Sequence, residues 1–424
     1  MNKFIKAINA LENGNLEKAF QYINEVKEKG KPEEKYDLAH ELFQLGFLDH
    51  AKDLFSDLLQ EYPDEGELKI RLAEVLIEMD DIEQALLILE EISENDPDYT
   101  EALLLLADLY QMQGLWEVSE QKLLQAENRA PDEEVVQFAL AELYASVGRF
   151  AQAVRRYEQI LSTMNEIAGV NIYERLAETY SAAGEFEKAL HYFEEANKHQ
   201  KLLDINTLFK YGFTAYHAGY WKTAIEKFNE VITLDPEYQS VYLLLAKCYE
   251  HENDLEKSWE TIQKGLKVND FQKELYFYGG KILLKLQNQE KAEQMLREAI
   301  AIDPSYIDPV ITLNKILLHD HRYEEVIELS SPLIQEGEED PEILWDLAIS
   351  YQHMEQYSES LNCYRQAYNF LKDNEQFLQN FGEFLMEEGK RGEAIEIYNK
   401  LVQLDPGNVE YTNTLEHLLM SNEI

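Results

Sequence analysis

The chain is 424 residues long, 45% hydrophobic and 11% aromatic, with 18 glycines and 10 prolines, which supports a folded core and argues against a disordered chain. Its 82 Asp and Glu against 38 Lys and Arg give a formal charge of −44, spread through both halves, so duplex nucleic acid and anionic lipid, which select a basic footprint, are poor partners. The two cysteines, Cys248 and Cys363, read as reduced core thiols.

From the N-terminus onward a small residue returns about every 34 places: Ala7, Ala39, Ala73, Ala107, Ala141, Ala177, Gly212, Ala246, Gly280, Asn314, Ala348 and Gly382. Twelve residues later in each unit stands a second small-residue phase: Ala19, Ala51, Ala85, Ser119, Ala153, Ala189, Ala224, Ser258, Ala292, Val326, Ser360 and Ala394. A unit this short cannot bury its own apolar face, so stacked copies must share a core.

The third unit, from Gly66 to Tyr99, gives the pattern in full. Leu72, Val75, Leu76 and Met79 recur at helical spacing and Asp80-Asp81 interrupts them. Ala85, Leu86, Leu89 and Ile92 then open a second helix, expected to run to Asn95-Asp96-Pro97. Pro63, Pro131, Pro236, Pro304 and Pro406 share that closing phase, and Gly14, Gly46, Gly114, Gly148, Gly184, Gly219 and Gly389 sit where the paired helices reverse.

Units begin near residues 1, 32, 66, 100, 134, 170, 205, 239, 273, 307, 341 and 375. Two extra residues fall around Thr163–Gly169 and one around Lys201–Asp204, where a change of pitch is expected. The tenth unit departs most, with Asn314 and Val326 at the small phases and Pro332 inside its second helix, where a kink or early break is expected. The organisation read from this is units one to five over 1–169, units six to twelve over 170–408, and a closing helix over 409–424.

This pattern resembles the tetratricopeptide repeat (TPR) family, whose 34-residue helix-turn-helix unit has small residues at these two phases and a closing proline. Tyr110, Tyr144, Tyr180, Tyr249 and Tyr351 fill its aromatic place in the first helix, and Tyr157, Phe193, Phe228, Tyr364 and Tyr398 that in the second. The family's early Trp is replaced, as by Tyr173, Tyr242 and Tyr276. The resemblance implies an all-α fold: a right-handed α-solenoid superhelix of about twelve units plus a C-terminal capping helix.

It also implies that first helices line a concave surface. One place after the small phase stand Glu74, Asp108, Glu142 and Glu178, then Phe213, Lys247, Lys281 and Lys315: an acidic ladder gives way to a basic one. One helical turn further stand His217, His251, Lys285, His319 and His353. Lys210 and Trp345 lie near the same face, with Phe209, Tyr216, Phe277 and Tyr278. Cations and aromatics so arranged suit an acidic extended or helical segment. The chaperone-binding subset's Lys and Asn clamp is missing, since Phe4, Ile8, Tyr36 and Glu74 occupy its places.

No phosphate-cradling loop is found, because Gly389-Lys390 lacks the earlier glycine, and His319 and His321 diverge on a helix, so neither a catalytic centre, a cofactor nor a metal is expected. MNKFIKAINALENG has no secretory core and no apolar run is long enough to span a bilayer, so a cytoplasmic location without membrane insertion is expected. The function expected is a non-enzymatic protein-protein interaction scaffold or assembly adaptor. The alternatives are a peptide-responsive regulator, or a structural protein that self-associates through its acidic and basic halves.

Overall fold

Short turns joining antiparallel helices account for nearly all of the computed structural model, which describes residues 3–199 and 203–420. The chain divides into two compact units, Met1–Leu203 and Asp204–Ile424.

In the N-terminal unit the helix pairs are α1 (Lys3–Glu12) with α2 (Leu16–Lys29), α3 (Pro32–Gln44) with α4 (Leu48–Glu61), and α5 (Gly66–Glu78) with α6 (Ile82–Glu90). There follow α7 (Tyr99–Met112) with α8 (Trp116–Arg129), α9 (Glu134–Ser146) with α10 (Phe150–Leu161), and α11 (Ile172–Ala182) with α12 (Phe186–His199). The C-terminal unit has α13 (Ile205–His217) with α14 (Trp221–Leu234), α15 (Ser240–His251) with α16 (Leu255–Val268), and α17 (Lys273–Lys285) with α18 (Gln289–Ile302). It continues with α19 (Ile307–His319) and α20 (Tyr323–Gln335), α21 (Pro341–His353) and α22 (Tyr357–Leu371), α23 (Glu375–Glu387) and α24 (Arg391–Leu404), and ends on α25 (Val409–Met420).

Each reversal within a pair is built alike. The backbone N–H three residues after the end of the first helix closes a six-residue loop onto a carbonyl of that helix, as in Asn15 to Ala10, Asp254 to Tyr249 and Lys390 to Leu385, at 2.8 to 2.9 Å. The residue before that donor is left-handed, a glycine in seven pairs, and Asp80, Asn253, Gln287, His321 and Glu355 with φ near +60° in the other five. Asn15, Asp81, Asp254 and Asn288 then cap the second helix by accepting the N–H three residues on.

The small phases are explained by how close the two helices come. A methyl group at Gly280 would stand 2.9 Å from Leu296, and one at Gly382 2.9 Å from the Tyr398 ring. Large residues of the second helix fill that space, so Phe55, Tyr157, Phe193, Phe228 and Tyr364 are buried with the alanines of the first.

Three details depart from or refine the expected pattern. The second helix of the third pair, α6, stops at Glu90 rather than at Asn95; the buried Lys69 ammonium donates to the Glu91 carbonyl at 3.2 Å, while Ile92 remains in the core. The helix α20 is not broken at Pro332: it continues to Gln335 and ends where Gly337 turns left-handed and Glu338 N–H donates to Leu333 O. Pro332 lies in the final turn, where a single missing N–H interrupts little of the ladder.

The third detail is the insertion near Thr163–Gly169, a two-stranded antiparallel hairpin of β1 (Glu166–Ile167) and β2 (Val170–Asn171). Ala168 and Gly169 both take positive φ in its two-residue turn, the geometry that matches strand twist. Buried Ile167 ties the hairpin to the core. The other spacing change, around Lys201–Asp204, lies partly outside the described residues; Asp204 itself caps α13 through the N–H groups of Asn206 and Thr207. At the far end α25 buries Tyr411 and Leu418, and Arg391 Nε donates to Leu418 O at 2.7 Å.

Candidate functional site: a basic and aromatic face in the C-terminal unit

Gly212, Gly280 and Gly382 of the first helices face Phe228, Leu296 and Tyr398 of their partner helices, and the residue after the small phase is turned toward the surface. On α15 and α17 these are Lys247 and Lys281. Both ammonium groups approach one ring: Lys247 Nζ lies 5.8 Å from the centroid of Tyr278, and Lys281 Nζ 6.0 Å from it and 5.5 Å from that of Phe277. Such contacts contribute about 0.5–1 kcal/mol each where water has access. Among the described residues no carboxylate lies within ion-pair distance of Lys247 or Lys281, although Lys281 adds to the charge that holds Glu250 low.

Tyr278 is buried, and its hydroxyl donates to Glu250. Desolvation, then Glu250, push its phenol well above the ordinary value. Lys285 pairs with the same Glu250; despite desolvation acting upward, hydrogen bonds from Lys285 and Tyr278 hold that carboxyl below its usual range. Lys315, one helix pair on, reaches Glu342 at 2.8 Å with both groups exposed. Of the four lysines in the two predicted columns, two are therefore internally paired and two are not.

The histidines engage local neighbours and not one another. His251 stacks on Trp221 with ring centroids 4.0 Å apart and planes within 3°, and His353 on Tyr323 at 4.2 Å. His319 Nδ1 lies 3.0 Å from Asp320 Oδ1, and His217 packs against Phe213 and Tyr216. Phe213 is exposed and contacts Phe209. Lys210 is exposed and helps hold Asp204 low against desolvation. Trp345 is half-buried, edge-on to Phe377, and packs into the core more than it projects.

In the N-terminal unit the acidic ladder is largely neutralised by arginines on the same or the next first helix. Arg71 binds Glu74 at 2.8 Å and Glu101 at 3.1 Å. Arg175 lies 3.2 Å from Glu142 and 3.0 Å from Glu178, and the Tyr157 hydroxyl also donates to Glu142. Asp108 alone has no cation paired with it among the described residues; it keeps exposed surface, yet desolvation pushes its carboxyl up. Arg71-x-x-Glu74 and Arg175-x-x-Glu178 have the spacing of a helical ion pair, a signal present in the sequence.

A cavity of about 620 Å³ also opens beside the α9–α10 and α11–α12 turns, edged by Arg149, Arg155, Glu158, Tyr180, Glu185 and Lys188. The stripes gave no sign of it, because it lies at turns and not on one helix face. No group of His, Cys, Asp and Glu suited to a metal occurs among the described residues, and no helix there is long and apolar enough to cross a membrane.

Paired helices with small residues at both crossing phases, closed by the same left-handed turn, define a tetratricopeptide repeat protein. Profiles of this class match residues 42–109, 170–198 and 275–306, and those of YpiA-like repeats match 111–164 and, as the C-terminal repeats, 341–408. The chain belongs to the YpiA-like tetratricopeptide repeat family. It is 40% identical to the TPR repeat-containing protein YpiA of Bacillus subtilis over 416 residues, covering 98% of each chain. Among solved structures, the C-terminal part of a TPR protein from Cytophaga hutchinsonii matches at 14% identity and a TM-score of 0.50, over 57% of this chain and 98% of that one. YrrB, described as a TPR protein with an unusual peptide-binding site, matches at 18% identity and a TM-score of 0.39, over 44% of this chain and 95% of its own.

Proposed function

We propose that the protein is a non-enzymatic scaffold in the cytoplasm that holds an acidic extended or helical segment of a partner protein on the first-helix face of its C-terminal unit. The observation that carries this reading is the pair Lys247 and Lys281, which lie over one aromatic ring without a carboxylate of their own in a chain of charge −44. Unpaired cations in so acidic a protein attract an anionic partner at the expense of little internal bonding. Phe277 and exposed Phe213 add apolar contact. Lys285 and Lys315 contribute less, because binding must first compete with Glu250 and Glu342.

The test compares proteins captured from lysate at low and moderate salt by the wild type, by Lys247→Glu with Lys281→Glu, and by Lys315→Glu, after equal folding is established. The reading requires salt-sensitive partners that the double variant loses and the single variant largely keeps. Equal retention of all partners by the double variant would refute it and leave the cavity edged by Arg155 and Lys188 as the next surface to test.

A further inference from the structure

Where the tenth and eleventh helix pairs pack, two buried polar atoms have no hydrogen-bond partner: Asn314 Oδ1 and Asp346 Oδ2. Such atoms are uncommon in native proteins, and each carries a desolvation penalty while it stays unmet. Asn314 stands on α19 where every other first helix carries Ala or Gly, and it is fully buried. Its Nδ2 donates to Ser330 Oγ of α20 at 2.8 Å. Asp346 of α21 is buried to 7% exposure, and Asn314 is near enough to act on its carboxyl.

Each of these two side chains, on packed helices α19 and α21, thus carries a buried acceptor oxygen that no donor reaches. A carboxylic acid supplies the donor that a carboxylate lacks. We propose that Asn314 and Asp346 form a proton-operated latch between α19 and α21: a proton on Asp346 donates to Asn314 and closes the junction, and its release to solvent leaves an unpaired buried carboxylate that loosens it.

The surroundings set the working range. Desolvation raises Asp346 to about 7, the Asn314 amide and Lys315 of α19 act downward, and Glu342 and Asp340, on and just before α21, act upward. From α20 comes neutral Ser330. Among groups on the other helices packed along α21, the Cys363 thiol of α22 is pushed up by burial to about 11 and stays neutral. The carboxylates of α23 bond elsewhere: Glu375 accepts from Tyr411, Glu383 from Gln379 and Glu387 from Gln352.

Opened to water, Asp346 would titrate near the ordinary value of about 3.9. Between there and about 7 the closed form keeps a proton that the open form has lost, so closure weakens as pH rises through that window and levels off above it. The latch lies behind the face that carries Lys315 and Trp345, but it stands whether or not that face binds an acidic segment.

Amide hydrogen exchange of α19 and α21 in the full chain, from pH 4.5 to 8 and corrected for intrinsic rate, tests this. Wild-type protection should fall at least tenfold toward neutrality and then level. In Asp346→Asn, whose side chain donates at every pH, it should stay flat. A wild-type profile that follows the intrinsic rate, or a fall that Asp346→Asn retains, overturns the proposal. Should that variant misfold, the carbon-13 carboxyl titration of wild-type Asp346 decides, with an inflection above pH 6 supporting the latch and a lower one refuting it.

Discussion

Tyr278 and Glu250, from successive first helices, are joined by a phenol-to-carboxylate hydrogen bond that sets the floor under Lys247 and Lys281. Removing that hydroxyl leaves Lys285 as the remaining charged partner of Glu250. Tyr278→Phe should therefore fold and keep both lysine–ring contacts, while losing about 1.5–3 kcal/mol for a buried bond to a charged group. Urea denaturation checks the size of the loss. A variant as stable as wild type would mean that the bond contributes no net stability.

The repeat, the all-helical class and the closing helix were legible because close helix crossing imposes a size limit that returns at fixed spacing. The same periodicity displayed the lysine and carboxylate columns, since one phase of a repeated helix is one face. What it did not display is pairing: Glu250 lies three residues after Lys247 on the same helix, yet its bond goes to Lys285 of the next pair. Asn314 was visible as an exception, but its meaning depends on Asp346, which sits in an ordinary helical stretch and becomes unusual only through burial.

The size limit itself can be tested with two glycines in neighbouring contexts. Gly280→Ala puts a methyl 2.9 Å from Leu296 and 3.4 Å from the Ala292 carbonyl, whereas Gly392→Ala, in the first turn of α24, meets nothing within 4 Å. The first should cost about 1–3 kcal/mol through overpacking. The second should be neutral or stabilising by up to about 1 kcal/mol, as alanine favours the helix. Thermal unfolding of the two variants should give shifts of opposite sign or, at the least, a loss confined to position 280.

Turns make the converse prediction. Glu355 holds φ at +59°, while Gly389 holds +69° at the equivalent place one pair later. Left-handed backbone costs a side-chain-bearing residue roughly 1–2 kcal/mol relative to its preferred regions, partly offset by the flexibility glycine adds to the unfolded chain. Glu355→Gly should raise the unfolding midpoint slightly, and Gly389→Ala should lower it by more. Unchanged midpoints in both variants would indicate that the turn adapts to its residue.

Both thiols should be slow to react. Cys248 and Cys363 are buried, and burial pushes them up to about 12 and about 11, so little thiolate exists at pH 7. Alkylation followed by mass spectrometry should label neither within the time that modifies a free cysteine peptide, and both in denaturant. Rapid labelling of Cys363 alone would reveal opening of the α21–α22 pair.

Arg175 is the cation on which the N-terminal carboxylate ladder depends. It lies between Glu142 and Glu178, and its Nε sits 3.2 Å from Glu142 without a hydrogen bond there, so its interaction with that residue is mainly electrostatic. Replacing it by glutamine keeps much of the packed stem and deletes the charge, leaving two half-buried carboxylates near each other. Arg175→Gln should destabilise the N-terminal unit by about 1–3 kcal/mol, the range for losing a charged partner. It should also create affinity for an oligolysine peptide that the wild type lacks at the same salt, because the Arg175 charge no longer offsets the carboxylates of Glu142 and Glu178. Wild-type binding equal to that of the variant would show that the ladder is open to cations despite Arg175, and would make the N-terminal face a second docking surface.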